Sequence, residues 1–438
     1  MTNNIIKPST LPGFMELLPA EQILFNKMLD TIRDNYEKFG FLPIDTPVIE
    51  RAEVLLAKGG GETEKQIYKF EKGDTDLALR FDLTVPLARY VAQHFSELTF
   101  PFRRYHIGKV YRGEKAQRGR FREFYQCDID IIGNGKLDIV NDAEIPSVIY
   151  STFKDLGFDS FTIKINNRKV LKGFFEHLGI LNSTEILRTI DKLEKIGLNK
   201  VEEELKEQGL EQDKINKIIQ FIQISGSNEE KLDSLKKLKI ENDIFNEGLE
   251  ELIAVNHHVK VFGVPEENYM IDLTIARGLD YYTGTVYETF LDEYTNIGSI
   301  CSGGRYDNLA EYYTKQKLPG VGISIGLTRL FYQLNEANLI KTEDNSLTKV
   351  LIIPMKGYLD QGIKIASDLR EKDINTQIYL ETEKMGKKFG YADKLGIPYT
   401  LIIGEEEIKQ GRYSLRDMET GKQEMLSIEE LLLVLKDS

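Results

Sequence analysis

The sequence is poor in cysteine and in long apolar runs, and each shortage excludes a class of protein. Only Cys127 and Cys301 are present in 438 residues, far apart and outside any CxxC pair. This argues against a disulfide framework and against a structural zinc site. No apolar run approaches the roughly 18 residues that cross a bilayer, and the N-terminus lacks the basic-then-apolar pattern of a signal peptide. We therefore expect a cytoplasmic protein without zinc and without membrane association.

Charge is distributed unevenly along the chain. The formal net charge is −13, the wrong sign for a protein coated in nucleic acid. Between Arg103 and Arg122, however, eight basic residues accompany a single acidic one, Glu114. Such a cluster in an acidic chain is either a local anion-binding site or a solvated basic face. The strand patterns on both sides of it favour the anion-binding site.

The length is enough for two or three domains with cores of their own. Residues 1–335 mix strand and helix patterns, apart from a charged, helix-rich insertion at 184–258. A polar linker at 336–348 precedes 349–438, where a βαβαβ pattern predicts a parallel sheet followed by a hairpin and a final helix. No phosphate-binding P-loop and no GxGxxG dinucleotide fingerprint is present.

Alternating residues predict strands that present polar side chains to a cleft. Leu77–Val85 alternates between apolar residues and the polar row Arg80, Asp82 and Thr84. Segments 103–112 and 121–132 predict an antiparallel hairpin around the basic loop. The even-numbered residues of its second strand share one face: Arg122, Phe124, Gln126, Asp128 and Asp130. That face suits a phosphate, a base and a small polar ligand; the alternative is an exposed amphipathic strand with ordinary ion pairs.

Glycines interrupt another predicted strand. Gly320, Gly322 and Gly326 occur in GVGISIG, which leads into a helix that carries Arg329. A glycine inside a strand often allows close approach to the backbone. We therefore expect a planar ligand to lie against this segment.

Six motifs, in this order along the chain, resemble those of the histidyl-tRNA synthetases, a family of class II aminoacyl-tRNA synthetases. KFGFLPIDTPVIE resembles class II motif 1, RFDLTVPLARY the amino-acid-binding strand, and VYRGEKAQRGRFREFYQ motif 2. ARGLDYYTGTVYE and CSGGRYDNL resemble the two signatures of the histidine enzymes, and GVGISIGLTRL resembles motif 3. The resemblance implies an α+β class II catalytic core, with an antiparallel sheet flanked by helices and a helical insertion. It also implies a C-terminal α/β anticodon-binding domain.

The resemblance assigns an amino-acid pocket residue by residue. The α-ammonium group of histidine would bind to three residues: Asp82, Thr84 and Gln126. The imidazole pocket would be lined by Asp130, Tyr281 and Tyr282. Asp130 stands where many relatives have glutamate.

The resemblance also assigns the contacts to ATP and tRNA. Arg112 would contact the α-phosphate and Arg329 the γ-phosphate, with Phe124 stacked on adenine. Arg277 would contact both the substrate carboxylate and the α-phosphate, which makes Arg277 and Arg112 the catalytic pair. Magnesium would accompany ATP, with Glu114 as a candidate contact. Gln117 and Arg118 would reach the acceptor end of the tRNA.

The implied reaction is ATP-dependent activation of L-histidine to histidyl-adenylate and transfer to tRNA(His), with release of AMP and diphosphate. Histidine carboxylate and ATP repel one another, and guanidinium groups lower that barrier by stabilising the developing charge. The implied partners are L-histidine, ATP and tRNA(His), and motif 1 implies a homodimer.

Three alternatives share part of this pattern. The regulatory subunit of ATP phosphoribosyltransferase has the same catalytic fold, but it normally lacks the anticodon-binding domain and loses the substrate contacts. This chain keeps Arg112, Gln126, Arg277 and Arg329. A synthetase for proline, threonine or glycine would lack the RGLDYY segment. A non-enzymatic tRNA sensor is disfavoured by the intact adenylation residues.

Overall fold

The computed structural model describes residues 6–57, 62–115, 119–180, 184–190, 192–275, 281–342 and 345–437. The chain folds into two compact units. The larger unit comprises the chain up to Met15 and Leu29–Ala337, and the smaller comprises Glu16–Met28 and Asn338–Ser438. Within the described residues, no helix combines the length and apolar character needed to cross a bilayer.

The larger unit is organised around an eight-stranded sheet. Its strands are β1 (Leu42–Pro43), β5 (Phe102–Tyr111), β6 (Glu123–Ile132), β7 (Phe161–Asn167), β8 (Tyr269–Ile271), β9 (Thr285–Leu291), β10 (Cys301–Tyr306) and β11 (Gly320–Ile325), and a separate small sheet contains β2 (Ile49–Arg51), β3 (Lys69–Lys72) and β4 (Thr75–Leu79). The large sheet has the order β1-β5-β6-β11-β10-β9-β7-β8. Its six central strands are antiparallel, and only the edge strands β1 and β8 pair in parallel. The predicted antiparallel sheet flanked by helices is therefore confirmed, with parallel pairs at its edges.

Helices cover this sheet and form the segment between β7 and β8. They are α1 (Pro19–Lys38), α2 (Ala52–Leu55), α3 (Glu62–Gln66), α4 (Thr84–Gln93), α5 (Val140–Asp155), α6 (Arg168–His177), α7 (Thr184–Ile190), α8 (Leu193–Ile196), α9 (Leu198–Glu207), α10 (Gln212–Ile222), α11 (Asn228–Lys237), α12 (Asp243–Val261) and α13 (Leu327–Glu336). From α7 to the end of α12 the described residues contain helices and no strand. Helix α10 follows a 3.6-residue period, with Ile215, Ile218 and Ile222 buried on one face.

The hairpin of β5 and β6 places the polar row predicted from the sequence. Phe102 pairs with Ile132 and Tyr111 with Glu123, so the predicted antiparallel hairpin is confirmed. Alternation sends Cys127, Ile129 and Ile131 into the apolar layer on the opposite side from Gln126, Asp128 and Asp130.

The predicted strand over Leu77–Val85 is wrong in its second half. Strand β4 ends at Leu79, and Thr84 begins helix α4. The Asp82 carboxylate accepts a hydrogen bond from the backbone N–H of Val85 at 3.0 Å, which satisfies a free donor in the first helical turn. Asp82 therefore lies at the start of a helix rather than within a strand.

The smaller unit is an α/β layer. It contains β12 (Val350–Pro354), α14 (Leu359–Arg370), β13 (Thr376–Ile378), α15 (Met385–Lys394), β14 (Tyr399–Ile403), α16 (Glu405–Gln410), β15 (Tyr413–Asp417), β16 (Gln423–Leu426) and α17 (Ile428–Asp437). Strand β12 pairs in parallel with β13 and β14, and β15 and β16 extend the sheet as an antiparallel hairpin. The βαβαβ prediction is thus confirmed, with α16 as an additional short helix.

Candidate active site

A cavity of about 580 Å³ lies against β6, β10 and β11 in the larger unit. Residues predicted from separate segments of the sequence line it together: Asp82, Thr84, Arg112, Glu114, Phe124, Gln126, Asp130, Tyr281, Tyr282 and Arg329. Further lining residues include Arg120, Asp128, Ser324 and Tyr306. Arg277, Gln117 and Arg118 lie outside the described residues.

One part of the cavity is basic. Arg112 donates from Nε to the carbonyl of Phe81 at 3.0 Å, and its guanidinium lies 5.0 Å from the centre of the Phe124 ring. Arg329 donates from Nη2 to the carbonyl of Ile297 at 2.9 Å, while its buried Nε has no hydrogen-bond partner among the described residues. Arg112 is thus held at Nε and Arg329 at Nη2, and each guanidinium keeps further donors for an anion.

A third arginine adds to this basic part. Arg120 lines the cavity 3.7 Å from Glu114, and it lies close enough to Arg329 to affect its titration. Burial and then the charge of Arg120 lower the pKa of Arg329. A bound polyanion would oppose this lowering, because it favours the charged guanidinium.

Arg122, which the sequence placed on the same face, does not line the cavity. Its guanidinium donates to the carbonyls of Glu114 and Pro12. It therefore holds the start of β6 and the N-terminal segment together, rather than facing a ligand.

A second, acidic part of the cavity holds three buried carboxyl groups, Asp82, Asp128 and Asp130. Arg112 is close enough to Asp82 to lower its pKa. Burial raises the pKa of Asp82 to about 6 and that of Asp130 to about 6, although nearby arginines oppose both shifts. The same desolvation raises the pKa of Asp128 to about 7. A cationic ligand would favour the ionised forms of these groups.

Asp130 is held from two sides. Arg104 Nη2 lies 2.5 Å from Asp130 Oδ2, and the Tyr306 hydroxyl donates to Oδ1 at 2.6 Å. The ring centres of Tyr281 and Tyr306 are 5.9 Å apart, and those of Tyr281 and Tyr282 are 4.9 Å apart. The tyrosines thus form an aromatic wall beside Asp130.

Acceptors without a partner also face this acidic part. The second oxygen of Asp82 and the side-chain oxygen of Gln126 are buried and have no hydrogen-bond partner within the described part of the chain. Gln126 is oriented by its amide N–H, which donates to the Ser324 hydroxyl at 2.6 Å. Buried acceptors of this kind are costly unless a ligand supplies donors.

Two glycines of β11 lie against neighbouring protein groups. A Cβ on Gly322 would overlap the Asp130 carboxyl and the Ile129 carbonyl, and one on Gly320 would overlap the Tyr306 ring. The missing side chains therefore make room for these protein groups. Gly322 also lines the cavity, as does Gly326 just after the strand, where a Cβ would meet nothing within 4 Å. A planar ligand against this segment stays a prediction.

Sequence reasoning gave no role to several residues of this site: Arg104, Arg120, Asp128 and Tyr306. The hairpin register contained a signal for the first, because pairing Phe102 with Ile132 sets Arg104 opposite Asp130. Asp128 belonged to the even-numbered face, and Tyr306 to the quoted motif CSGGRYDNL.

Comparison with known proteins gives the same picture over the whole chain. A family model described as histidyl-tRNA synthetase matches residues 13–330, and one described as an anticodon-binding domain matches residues 349–438. The histidine–tRNA ligase of Clostridium tetani is 66% identical over 439 aligned residues, covering 100% of both chains. The crystal structure of histidyl-tRNA synthetase from Nostoc sp. PCC 7120 has a TM-score of 0.91 at 43% identity, covering 99% of this chain and 100% of that one.

A more distant structure concerns the regulatory alternative. A Bacillus halodurans protein described as an ATP phosphoribosyltransferase regulatory subunit/histidyl-tRNA synthetase has a TM-score of 0.73, covering 88% of this chain and 97% of that one. Its identity is 20%, so this likeness shows the fold alone. The full-length matches at much higher identity decide the assignment. The chain belongs to the histidyl-tRNA synthetase family.

Proposed function

We propose that this chain activates L-histidine with ATP and transfers it to tRNA(His), with release of AMP and diphosphate. The observation that carries the proposal is one cavity that combines arginines with buried carboxyl groups, together with buried acceptors that lack a partner among the described residues. A zwitterionic amino acid and a nucleoside triphosphate together match this combination of charges. Relatives named histidine–tRNA ligase support the choice of amino acid.

ATP occupies the basic part in this proposal. Arg112 contacts the α-phosphate and Arg329 the γ-phosphate, because both line the cavity and keep donors available. One face of the Phe124 ring lies beside Arg112, and its other face stacks on adenine. ATP enters as its magnesium complex, and Glu114 is a carboxylate of the described cavity near the phosphate positions.

Histidine occupies the acidic part. Its α-ammonium donates to Asp82, Thr84 and Gln126, two of which carry unpaired buried acceptors. Its imidazole enters the pocket lined by Asp130, Tyr281 and Tyr282. A pocket that hydrogen-bonds a polar ring rejects apolar analogues by about 10⁴-fold.

The chemical step joins the two substrates. A carboxylate oxygen of histidine attacks the α-phosphorus, the bond to the bridging oxygen breaks, and diphosphate leaves with its electron pair. Arg112 stabilises the negative charge on the phosphoryl oxygens, and Arg277 contacts both reactants. The tRNA ribose hydroxyl then attacks the carbonyl of histidyl-adenylate and expels AMP.

The tRNA contacts involve other parts of the chain. Gln117 and Arg118 reach the acceptor end, the insertion at 184–258 supports the acceptor stem, and 349–438 binds the anticodon. Lys384, just before α15, and Lys387 and Lys394 within it are exposed and suit phosphate contacts. Lys388 is buried and donates to the Pro354 carbonyl at 3.3 Å, so it does not belong to that surface.

The chain acts as a homodimer in the cytoplasm. Exposed apolar side chains of the motif 1 segment support an interface, because Leu42 is 60%, Val48 37% and Ile49 47% exposed. The two cysteines are unpaired, as expected in a reducing compartment.

Histidine-dependent ATP–pyrophosphate exchange tests the function. We expect exchange with L-histidine and none above background with proline, threonine or glycine. Exchange with another amino acid, or no exchange at all, would refute the proposal. Charging of tRNA(His) against a mixture of other tRNAs tests the second step.

A further inference from the structure

Helix α13 carries a second polar side chain that lines the cavity. Gln333 lies four residues after Arg329 on this helix, and both side chains line the cavity. Residues four apart on a helix share a face, so the two side chains reach the same neighbours. No motif of the sequence assigns a role to Gln333.

Arg329 and Gln333 donate to one carbonyl oxygen. Arg329 Nη2 lies 2.9 Å and Gln333 Nε2 lies 3.0 Å from the carbonyl oxygen of Ile297. A carbonyl oxygen has two lone pairs, and these two donors occupy both. Ile297 ends the short 3₁₀ segment that follows β9. The shared oxygen therefore ties the guanidinium to this segment and fixes its direction.

The residue after Ile297 leaves room for the guanidinium. Gly298 has a φ of +75°, and a Cβ built on it would lie 3.0 Å from Arg329 Nη2. A side chain would therefore strain the backbone and press on the guanidinium at the same time. The end of the 3₁₀ segment is thus shaped around Arg329.

The segment that follows the basic loop lies against Gln333. A Cβ built on Gly119 would lie 3.2 Å from Gln333 Nε2. Two residues further on, the Phe121 ring packs edge-on against Tyr332 of α13, with ring centres 5.2 Å apart. Gln333 therefore lies where α13, the segment after the basic loop and the segment after β9 meet.

The amide of Gln333 is only half used. Its Oε1 is buried and accepts no hydrogen bond from the described residues. A buried acceptor of this kind destabilises a fold, and an apolar side chain of similar length would avoid that cost. Fold stability alone therefore does not explain a glutamine at this position. What glutamine adds is the Nε2 donor that holds the Ile297 carbonyl.

We infer that Gln333 is a positioning residue: by occupying the second lone pair of the Ile297 carbonyl, it aims the Arg329 guanidinium at the terminal phosphates of ATP. This inference rests on the function proposed above, in which Arg329 contacts the γ-phosphate. Gln333 acts through Arg329 and contacts no substrate itself. Its loss weakens the binding of ATP and of diphosphate, which share these phosphate positions, and leaves the binding of histidine unchanged.

Pyrophosphate exchange by the full chain tests the inference through Gln333→Met, which keeps the side-chain length and removes both polar groups. We expect the KM for ATP and the KM for diphosphate each to rise by about fivefold, the factor that one net hydrogen bond represents. The KM for histidine should stay within about twofold of the native value. The melting temperature should stay within about 3 °C of native, because a buried unpaired acceptor is removed together with the donor.

Gln361→Met is the matched control for this substitution. Gln361 is an exposed glutamine on helix α14 of the smaller unit. All three KM values should stay native in this variant. A rise in the KM for ATP equal to that of Gln333→Met would overturn the inference.

A double-mutant cycle separates positioning from direct contact. In an Arg329→Ala background, Gln333→Met should have no further effect on the KM for ATP, because the group that Gln333 positions is gone. An effect of the same size in this background would mean that Gln333 contacts ATP itself, and it would overturn the inference.

Gln333→Glu provides a second substitution. It removes the Nε2 donor and places a carboxylate beside Arg329, which competes with the phosphates for the guanidinium. The KM for ATP should therefore rise more than in Gln333→Met. Since KM does not depend on the amount of folded enzyme, a variant with a low yield is still informative. Native KM values for ATP and diphosphate in both variants would overturn the inference alone. Absence of histidine-dependent exchange in the native chain would overturn the proposed function and the inference together.

Discussion

Arg104 and Asp130 form an ion pair with a separation of 2.5 Å, and both side chains are buried. The first prediction concerns Arg104→Leu, which leaves the Asp130 carboxylate without its cation. Removing one partner of a buried pair costs about 3–5 kcal/mol of unfolding free energy. We expect a clear fall in the melting temperature at pH 8, measured by circular dichroism.

The pH dependence of that loss has a defined sign. Arg104 lowers the pKa of Asp130 against the effect of burial, so its removal raises that pKa further. A raised folded-state pKa means that stability is lost as pH rises, and the variant should therefore be less impaired at pH 5 than at pH 8. The double variant Arg104→Leu/Asp130→Asn should recover part of the loss. Equal melting temperatures of single variant and native protein at pH 8 would contradict the prediction.

The second prediction concerns Gly322→Ala. Its Cβ would overlap the Asp130 carboxyl and the Ile129 carbonyl, so the carboxyl must move into the cavity or the strands must separate. We expect the KM for histidine to rise by about tenfold or more, measured by pyrophosphate exchange. Gly390→Ala is the matched control, because a Cβ there meets nothing within 4 Å and lies on helix α15. A histidine KM that rises equally in both variants would exclude the steric explanation.

The third prediction concerns the catalytic arginines. Arg277→Ala should fold normally and lose adenylate formation by about two decades or more, and Arg112→Ala should lose a comparable amount. Arg188→Ala is the control, since that side chain is 61% exposed and pairs with Glu185 on the helical segment. The measurement is pyrophosphate exchange at saturating histidine and ATP. Near-native exchange in Arg277→Ala would remove the basis for its assigned role.

The fourth prediction follows from the raised pKa of Asp128. With a folded-state pKa of about 7, this group stabilises the fold least where the carboxyl is ionised, so native stability falls as pH rises from about 4 through 7. Asp128→Asn removes that dependence. The difference in melting temperature, variant minus native protein, should therefore be roughly 5 °C larger at pH 8 than at pH 5. A constant difference across this range would show that Asp128 is already ionised in the empty fold.

The fifth prediction separates the lysines at the start of α15 by their exposure. Lys384→Ala and Lys387→Ala should each weaken tRNA binding. Each should also reduce the steepness of the plot of log affinity against log salt concentration by about one. Lys387 also pairs with Glu383, which the substitution releases. Lys388→Met should leave the salt slope unchanged, because its amine lies inside the unit, 5.4 Å from the Tyr379 ring centre. Filter binding at several salt concentrations distinguishes these results.

The sheet and hairpin were predictable because strand geometry imposes a two-residue period. Phe124, Gln126, Asp128 and Asp130 share a face for this reason alone. The same two-residue period gave a wrong prediction for Leu77–Val85. There the alternating pattern continues past the end of β4 at Leu79 and into the first turn of α4. Asp82, one residue before the N-cap Leu83, and Pro86 in the first turn were the signals that favoured a helix.

Other features depended on tertiary contacts that no local pattern contains. Lys388 resembles its neighbours in sequence, yet it is buried because Pro354 and Tyr379 surround that side of α15. The Gly322 position could be noticed in the sequence, but its reason required the register that sets it opposite Asp130.

The Asp82 carboxyl divides its two oxygens between the helix and the cavity. One oxygen accepts the N–H of Val85, and the other points unpaired into the site. An inhibitor that donates a hydrogen bond to the unpaired oxygen, Oδ2, would therefore bind a residue that the helix also needs. A resistant strain that exchanged Asp82 for an apolar residue would also lose the hydrogen bond to Val85, which stabilises the first turn of the helix that carries Thr84.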